Sequence, residues 1–243
     1  YIFILIMAHS NVFSEWNFHK ELSNTGKVLK GHSRGGERTG FAIPAISLMF
    51  DAGVRTHQTP NHILITHCHC DHSFELPVIL AGGWKSHTDI YTPVDPHIII
   101  NFIHSSFTMM GNGAKKSPPF RVHQVKPGDS FKFTEGKKNF QVDVFKCYHT
   151  VETNGYGVSE IKMKLKDEYK GLKGPEIVQL KKDGIEICRE ELDRQIVYLC
   201  DTTIQVFDDT RIFDYKHIMV ECTIFDEENK ESAYANGHVY WGD

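Results

Sequence analysis

No hydrophobic run in this chain is long enough to cross a membrane. The most apolar stretch, YIFILIM at residues 1–7, falls well short of the roughly 20 residues that a spanning helix needs. It lacks a cationic flank and a cleavage site, so it reads as a buried β-strand and not as a leader. Positive charge is not in excess either: 27 Lys and Arg face 31 Asp and Glu, a net charge of −4. No global basic field announces nucleic acid, and an anionic partner has to be met by a local patch. The six cysteines, at 68, 70, 147, 188, 200 and 222, form no regular framework. In a chain of this length that spacing excludes a disulfide scaffold and implies reduced thiols in an intracellular, cytoplasmic protein. Internal repeats and low-complexity segments are also missing. Finally, the chain starts at Tyr1 instead of Met and stops at Asp243 directly after the apolar-aromatic HVYWGD, so a truncated C-terminus is expected.

What is present suits one α/β domain over residues 1–243, with 40% hydrophobic residues to fill a core. Strand-length apolar runs recur at Ile46–Asp51, His62–Thr66, Asp89–Thr92, Phe140–Cys147, Gln195–Cys200 and His217–Cys222. Helices are predicted over Asp71–Leu80 and Asp95–Met110, the second carrying Ile98, Phe102, Ile103 and Phe107 at helical spacing. Several strands end immediately before a His or an Asp, which is where α/β proteins place their chemistry.

The densest such place is THCHCDH, residues 66–72. His67, His69, Asp71 and His72 sit on one tight turn between a predicted strand and a predicted helix, where they can converge. Neutral imidazoles with a carboxylate suit divalent zinc, manganese or iron, and leave positions open for water. Cys68 and Cys70 alternate with the histidines, so the period of two makes them packed spacers and not ligands. Lys162–Lys182 differs in composition, with seven Lys against three acids. It reads as a long helix or arm interrupted at Gly171 and Gly174–Pro175: a solvated excursion, or a basic clamp.

THCHCDH resembles the signature of the metallo-β-lactamase superfamily. CYHTVETNGYGV (Cys147–Val158), YLCDTT (Tyr198–Thr203) and VECTIF (Val220–Phe225) are similar, in order, to motifs of the ribonuclease Z family of tRNA 3′-processing endonucleases. GHSRGGERTGFAIPAISLMFDAG (Gly31–Gly53) and KLKDEYKGLKGPEIVQLKKDGIEI (Lys164–Ile187) resemble the glycine-rich opening and the inserted segment of its short, plant-type members. The resemblance runs from about Gly31 onward.

It implies a four-layer αβ/βα sandwich with an inserted basic arm at about residues 159–194. It also implies two Zn²⁺ (or Mn²⁺) ions, one on His67, His69 and His149 and the second on Asp71 and His72, with Asp201 bridging. Asp71 would orient or deprotonate the nucleophile, and Glu221 with His238 would protonate the leaving ribose 3′-oxygen. The implied reaction removes the 3′ trailer of precursor tRNA, leaving a tRNA 3′-hydroxyl and a trailer 5′-phosphate. Lys162, Lys164, Lys166 and Lys170 on the arm would grip tRNA phosphates, and the assembly would be a homodimer with no membrane partner. One departure stands out. The family carries a further ligand His beyond the position matching His238, so the second metal is expected to be one ligand short in this chain. Two rival readings remain: another hydrolase on the same fold, acting on phosphodiesters or thioesters, and a catalytically degenerate RNA-binding module.

Overall fold

A computed structural model describes residues 16, 18–56, 58–83, 87–111 and 116–242, together with the backbone of 2–6. Tyr1 and Met7 of the first apolar run, and His57, lie outside the described residues. In chain order the elements are β1 (Ile2–Ile6), β2 (Phe18–Leu22), β3 (Lys27–Arg34), β4 (Arg38–Ile43), β5 (Leu48–Phe50), β6 (His62–Leu64), α1 (Cys70–Ser73) and α2 (Leu76–Ala81). There follow β7 (Thr88–Thr92), α3 (Pro96–Met110), β8 (Phe120–Gln124), β9 (Ser130–Glu135), β10 (Lys138–Lys146) and β11 (Asn154–Leu165). The last are α4 (Gly174–Lys182), β12 (Cys188–Cys200), β13 (His217–Glu221) and α5 (Lys230–Ala235).

The strands make two mixed sheets. One has seven strands in the order β2-β3-β4-β5-β6-β7-β8, and the other has six in the order β1-β13-β12-β11-β10-β9. β5 to β8 run parallel, as do β1, β13 and β12. Parallel neighbours need crossovers, which α1, α2 and α3 supply between β6, β7 and β8.

Side-chain alternation explains why the sheets stack. Phe140, Val142 and Val144 of β10 point into a core that also holds Phe41, Phe50 and Leu64 of the other sheet. Each such side chain, fully buried, contributes about 1.5–3 kcal/mol. β12 is buried on both faces: Ile196, Tyr198 and Cys200 face the core between the sheets, while Val197 and Leu199 face outward into a second cluster. That two-sided burial is why QIVYLC is a continuous apolar run.

The outer face of the seven-stranded sheet is covered by Leu76, Ile79 and Leu80 of α2 and Ile99, Ile103 and Phe107 of α3. On the six-stranded sheet the covering residues Val206, Ile212 and Tyr215 come from two short 3-10 helices and the residue after them. The helix predicted over Asp71–Leu80 is broken in two. Pro77 is the reason, since it has no N–H to offer the Ser73 carbonyl and its ring crowds that carbonyl. α3 matches its predicted span to one residue, opened by the Asp95 carboxylate, which accepts from the His97 N–H at 2.8 Å.

The lysine-rich segment differs most from the expectation of a long helix. β11 and β12 extend beyond the sheet as a two-stranded ribbon, and only the tip, α4, is α-helical. The alternation Ile161-Lys162-Met163-Lys164-Leu165-Lys166 is a strand pattern with period two, which the lysine count obscured. At the root of the ribbon the pairing register shifts at Val158/Ser159. There Glu160 accepts from Lys27 of β3 at 2.8 Å and from Lys138 at 2.9 Å, tying the ribbon to the opposite sheet.

Candidate metal centre

The segment after β6 leaves the sheet and turns into α1 six residues after Leu64. Its path is fixed by backbone: Ala52 N–H donates to the His72 carbonyl at 2.6 Å, and a Cβ on Gly53 would lie 1.6 Å from the Asp71 carbonyl oxygen. Only glycine admits that approach. His67, buried, and His69 follow the strand, and Asp71 and His72 occupy the first turn of α1. From the other sheet come His149, after β10, Asp201, after β12, and Glu221, the last residue of β13. Cys200 takes a left-handed φ of +50° to turn the chain into Asp201. His238 follows α5, where Gly237 at φ +70° packs against the His149 backbone.

These side chains converge. His69 Nδ1 lies 3.1 Å from His67 Nε2 and 3.3 Å from His149 Nε2. The hydrogen-bond network fixes the tautomers. Thr66 Oγ1 gives its proton to the Asp51 carboxylate at 2.8 Å, so it accepts from His67 Nδ1–H at 3.1 Å. His149 Nδ1–H donates to the Gly237 carbonyl at 3.1 Å. His67 and His149 therefore turn lone pairs toward His69 Nδ1, and with His69 as the Nε2–H tautomer the three nitrogens form a set of acceptors that a cation satisfies.

The second group adjoins the first. His72 Nδ1–H donates to Asp51 at 3.0 Å, leaving Nε2 facing Asp71 Oδ2 at 3.2 Å and Asp201 Oδ2 at 3.6 Å. The same Asp201 oxygen is 3.9 Å from both His67 Nε2 and His149 Nε2, so it stands between the groups. Inward lone pairs, outward nitrogens committed to buried acceptors, and carboxylates at the junction fit a divalent metal of the zinc or manganese type. His238 also comes within reach of His149 and Asp201.

Electrostatics agree with that donor set at His67, His149 and Asp71, whereas His72 and Asp201 favour protons that an incoming cation displaces. Burial, reinforced by the neighbouring imidazoles, holds His67 far below the ordinary histidine range, and burial lowers His149 as well; both are neutral, the form that binds metal. Burial pushes Asp201 up to about 6, with the Glu221 carboxylate adding to it. Burial also works against the charge on Asp71, but His72 and the Gly36 N–H, 3.0 Å away, outweigh it and hold the carboxyl low. Burial would depress His72; the Asp51 and Asp71 carboxylates that face its two nitrogens overcome it and raise the imidazole.

The cysteines divide. Cys68 is half-buried among apolar side chains, as a spacer should be. Cys70 is exposed, because helix α1 begins there and the alternation of an extended segment no longer applies. All six are free thiols. Cys200 adjoins His72, but on the Nδ1 side already given to Asp51, and burial keeps it a neutral thiol.

Glu221 and His238 pair through Oε1 and Nδ1. Burial pulls the His238 imidazole down, but the Glu221 carboxylate outweighs it and raises it above its ordinary value, which favours the charged form. Both line a cleft of about 550 Å³ together with Asp71, Asp201, His69 and His149.

Sequence reasoning gave no role to Asp51, Thr66 or Tyr198. Asp51 is fully buried and accepts from Thr66 N–H at 2.8 Å, Tyr198 OH at 2.9 Å and His72. Its signal was an acid ending the apolar run LMFD, the same pattern that marks Asp201 after YLC. The arm lysines lie away from this cluster, and three of them meet carboxylates: Lys162 with Asp193 at 2.6 Å, Lys164 with Glu191, and Lys170 with Asp167.

Two stacked mixed sheets with His and Asp donors gathered at the strand ends define an α/β metallohydrolase of the metallo-β-lactamase fold. A tRNase Z of Arabidopsis thaliana is 29% identical over 227 residues, covering 91% of this chain and 80% of that protein. The nuclear ribonuclease Z of Triticum aestivum is 31% identical over 164 residues, 67% of this chain and 92% of that one. The chain belongs to the ribonuclease Z family. None of the known protein-family models matches it. Among solved structures, human tRNase Z, short form, gives a TM-score of 0.47 at 16% identity, covering 89% of this chain and 77% of that one. Among the described residues no helix is long and apolar enough to cross a membrane.

Proposed function

We propose that the protein is a metal-dependent endoribonuclease that removes the 3′ trailer of precursor tRNA, leaving a 3′-hydroxyl on the tRNA and a 5′-phosphate on the trailer. The observation that carries this reading is the meeting, in one cleft, of His69, His149, Asp71 and Asp201 from the two donor groups with the His238–Glu221 pair. His67, His69 and His149 would hold one ion, Asp71 and His72 a second, with Asp201 shared; the ions would be Zn²⁺, or Mn²⁺. Bound there, they supply Lewis-acid polarisation of a phosphodiester and lower the pKa of water.

The chain's own residues do the rest. Asp71 orients the attacking water and takes its proton. The water oxygen bonds to phosphorus, the bond from phosphorus to the ribose 3′-oxygen breaks, and His238 gives that oxygen its proton. Glu221 keeps the imidazole charged and aimed. A thioester hydrolase has no comparable need for a charged acid beside its leaving group, since a thiolate departs readily without a proton.

The ribbon from about 159 to 194 is the tRNA clamp in this reading. Its lysines exchange their carboxylates for phosphates, so they grip less tightly than their number suggests; among the described residues, Lys166 alone of the four has no carboxylate in ion-pair contact. The homodimer is supported by an uncovered apolar stripe. Phe74, Ile98 and Met109 are 61%, 58% and 80% exposed, and Phe102 packs against Phe74 with ring centroids 5.5 Å apart, tilted at 36°. Free thiols throughout fit an intracellular compartment.

The test is incubation with end-labelled precursor tRNA and Zn²⁺ or Mn²⁺, followed by mapping of the cut. One cleavage at the 3′ end of the acceptor stem is expected; metal-loaded protein that leaves the trailer intact refutes the proposal. A panel of model phosphodiesters and thioesters distinguishes the remaining hydrolase reading.

A further inference from the structure

We propose that a second cleft, on the other side of His149 from the metal centre, is a subsite for an unpaired nucleotide of the RNA on the 3′ side of the scissile bond. The inference rests on the ribonuclease reading above and adds to it a place for the trailer. The cleft measures about 510 Å³ and shares His149 and Thr150 with the catalytic cleft, so a strand leaving the one enters the other. That volume falls in the range of about 300–1,000 Å³ that holds small organic groups.

Its chemistry suits a nucleotide. Tyr148 and Tyr234 both line it, and Tyr234 is 38% exposed. Lys146 Nζ lies 4.6 Å from the Tyr148 centroid, and Lys230 Nζ, at the margin of the cleft, sits between Tyr234 at 5.6 Å and Tyr240 at 4.9 Å. Aromatic faces beside cations are what single-stranded RNA uses, the rings stacking on splayed bases and the cations meeting phosphate. A duplex end cannot offer such bases, so the cleft takes an unpaired nucleotide beside the scissile bond, and the dependence on trailer length tested below places it on the 3′ side. Lys146, unlike Lys162, Lys164 and Lys170 of the arm, has no carboxylate within ion-pair distance among the described residues. Glu152 in the same lining offsets its charge, however, so affinity here comes from ring surface. A shallow salt dependence follows, in contrast to a phosphate clamp.

The experiment uses the full chain and a 5′-phosphorylated tetrauridylate, with an abasic tetranucleotide as control. The tetrauridylate binds and the abasic strand binds at least several-fold more weakly. Tyr234→Ala weakens tetrauridylate roughly tenfold, at the low end of what one base–aromatic stack contributes, and Tyr234→Phe restores it. Lys146→Gln weakens both strands. In cleavage assays Tyr234→Ala raises KM for a precursor with a long trailer and leaves KM for a single-nucleotide trailer unchanged. Equal binding of the abasic strand, or a Tyr234→Ala protein that matches wild type in both binding and trailer-length dependence, overturns the proposal. If wild type cleaves no precursor tRNA, the ribonuclease reading fails, and the oligonucleotide result still decides the cleft separately.

Discussion

Replacing Asp51 by Asn tests how far the metal centre depends on a residue that touches no substrate. The two carboxylate oxygens have distinct duties. Oδ1 accepts from Thr66 N–H and Oγ1–H, both at 2.8 Å, and Oδ2 accepts from His72 Nδ1–H at 3.0 Å and Tyr198 OH at 2.9 Å. An amide keeps one acceptor. If its oxygen serves Thr66, its NH₂ group confronts His72 Nδ1 and drives the imidazole proton to Nε2, the nitrogen that faces Asp71 and Asp201. His72 then presents a hydrogen where a lone pair is needed. Loss of such an orienting partner lowers metal affinity by roughly 10- to 100-fold, about 1.4–2.7 kcal/mol.

The same change leaves buried donors unmet in the metal-free protein, at about 1–3 kcal/mol, and each kcal/mol lowers Tm by roughly 2–4 °C for a chain of this size. Calorimetric titration with Zn²⁺, alongside melting of the metal-free form, measures both. Tyr198→Phe is the control: it removes one hydroxyl, leaves the His72 tautomer alone, and should alter stability but barely alter affinity. An Asp51→Asn protein that folds and binds Zn²⁺ within about twofold of wild type would refute the tautomer argument, since its lower bound is roughly tenfold.

Three further outcomes follow from the geometry. The raised His238 is charged below its own pKa, so kcat should fall as pH rises through that value; Glu221→Gln should move the inflection to lower pH, and His238→Ala should cost roughly 10²–10⁴ in kcat. Glu160 is depressed from 4.5 to about 2, chiefly by Lys27 and Lys138 acting against the burial that would raise it. Its stabilisation is therefore full above pH 4.5 and lost as pH falls from there toward about 2; Glu160→Gln should destabilise by about 3 kcal/mol at neutral pH and flatten that acid limb, as chemical denaturation across pH will show. Changing Lys162, Lys164, Lys166 and Lys170 together to Ala should raise KM for tRNA and reduce its salt dependence; unchanged kinetics would leave the arm without a role in binding.

The sequence showed the strand ends before it showed the sheets. HILIT, QIVYLC and HIMVEC stood out because strands buried on one or both faces leave an apolar run, and the ligands follow such runs. β2, β8 and β9 did not stand out, because they are edge or near-edge strands: RVHQ and SFKFTE mix charges into their pattern and carry little burial. Of the two readings of the lysine-rich segment, a long helix or an arm, the arm has the observed form, and its strands were hidden for a related reason. Lys162, Lys164 and Lys166 gave the impression of a charged helix, although a strand that leaves the sheet needs only alternation and no core. Likewise, the extended-segment rule applied to the cysteines stops where α1 starts, at Cys70, a boundary set by contacts with Ala52 and Gly53 that no local pattern reveals.

The polar bolts between the sheets were the least legible part, and they join fold to function. Tyr156 of one sheet donates to the Ile65 carbonyl of the other at 2.7 Å, Asn154 N–H donates to the Thr66 carbonyl at 2.9 Å, and Tyr198 OH donates to Asp51. All three cross the apolar interface at the end where the ligands gather, and all are buried, so each is costly to leave unmade. His67, Asp71 and His72 depend on one sheet, while His149, Asp201 and Glu221 depend on the other. A donor set only a few ångströms wide cannot be held by two layers free to slide on aliphatic contacts. The interface therefore carries specific hydrogen bonds where the cluster needs registry and aromatic packing, such as Tyr91 of one sheet stacked on Phe131 of the other, farther along.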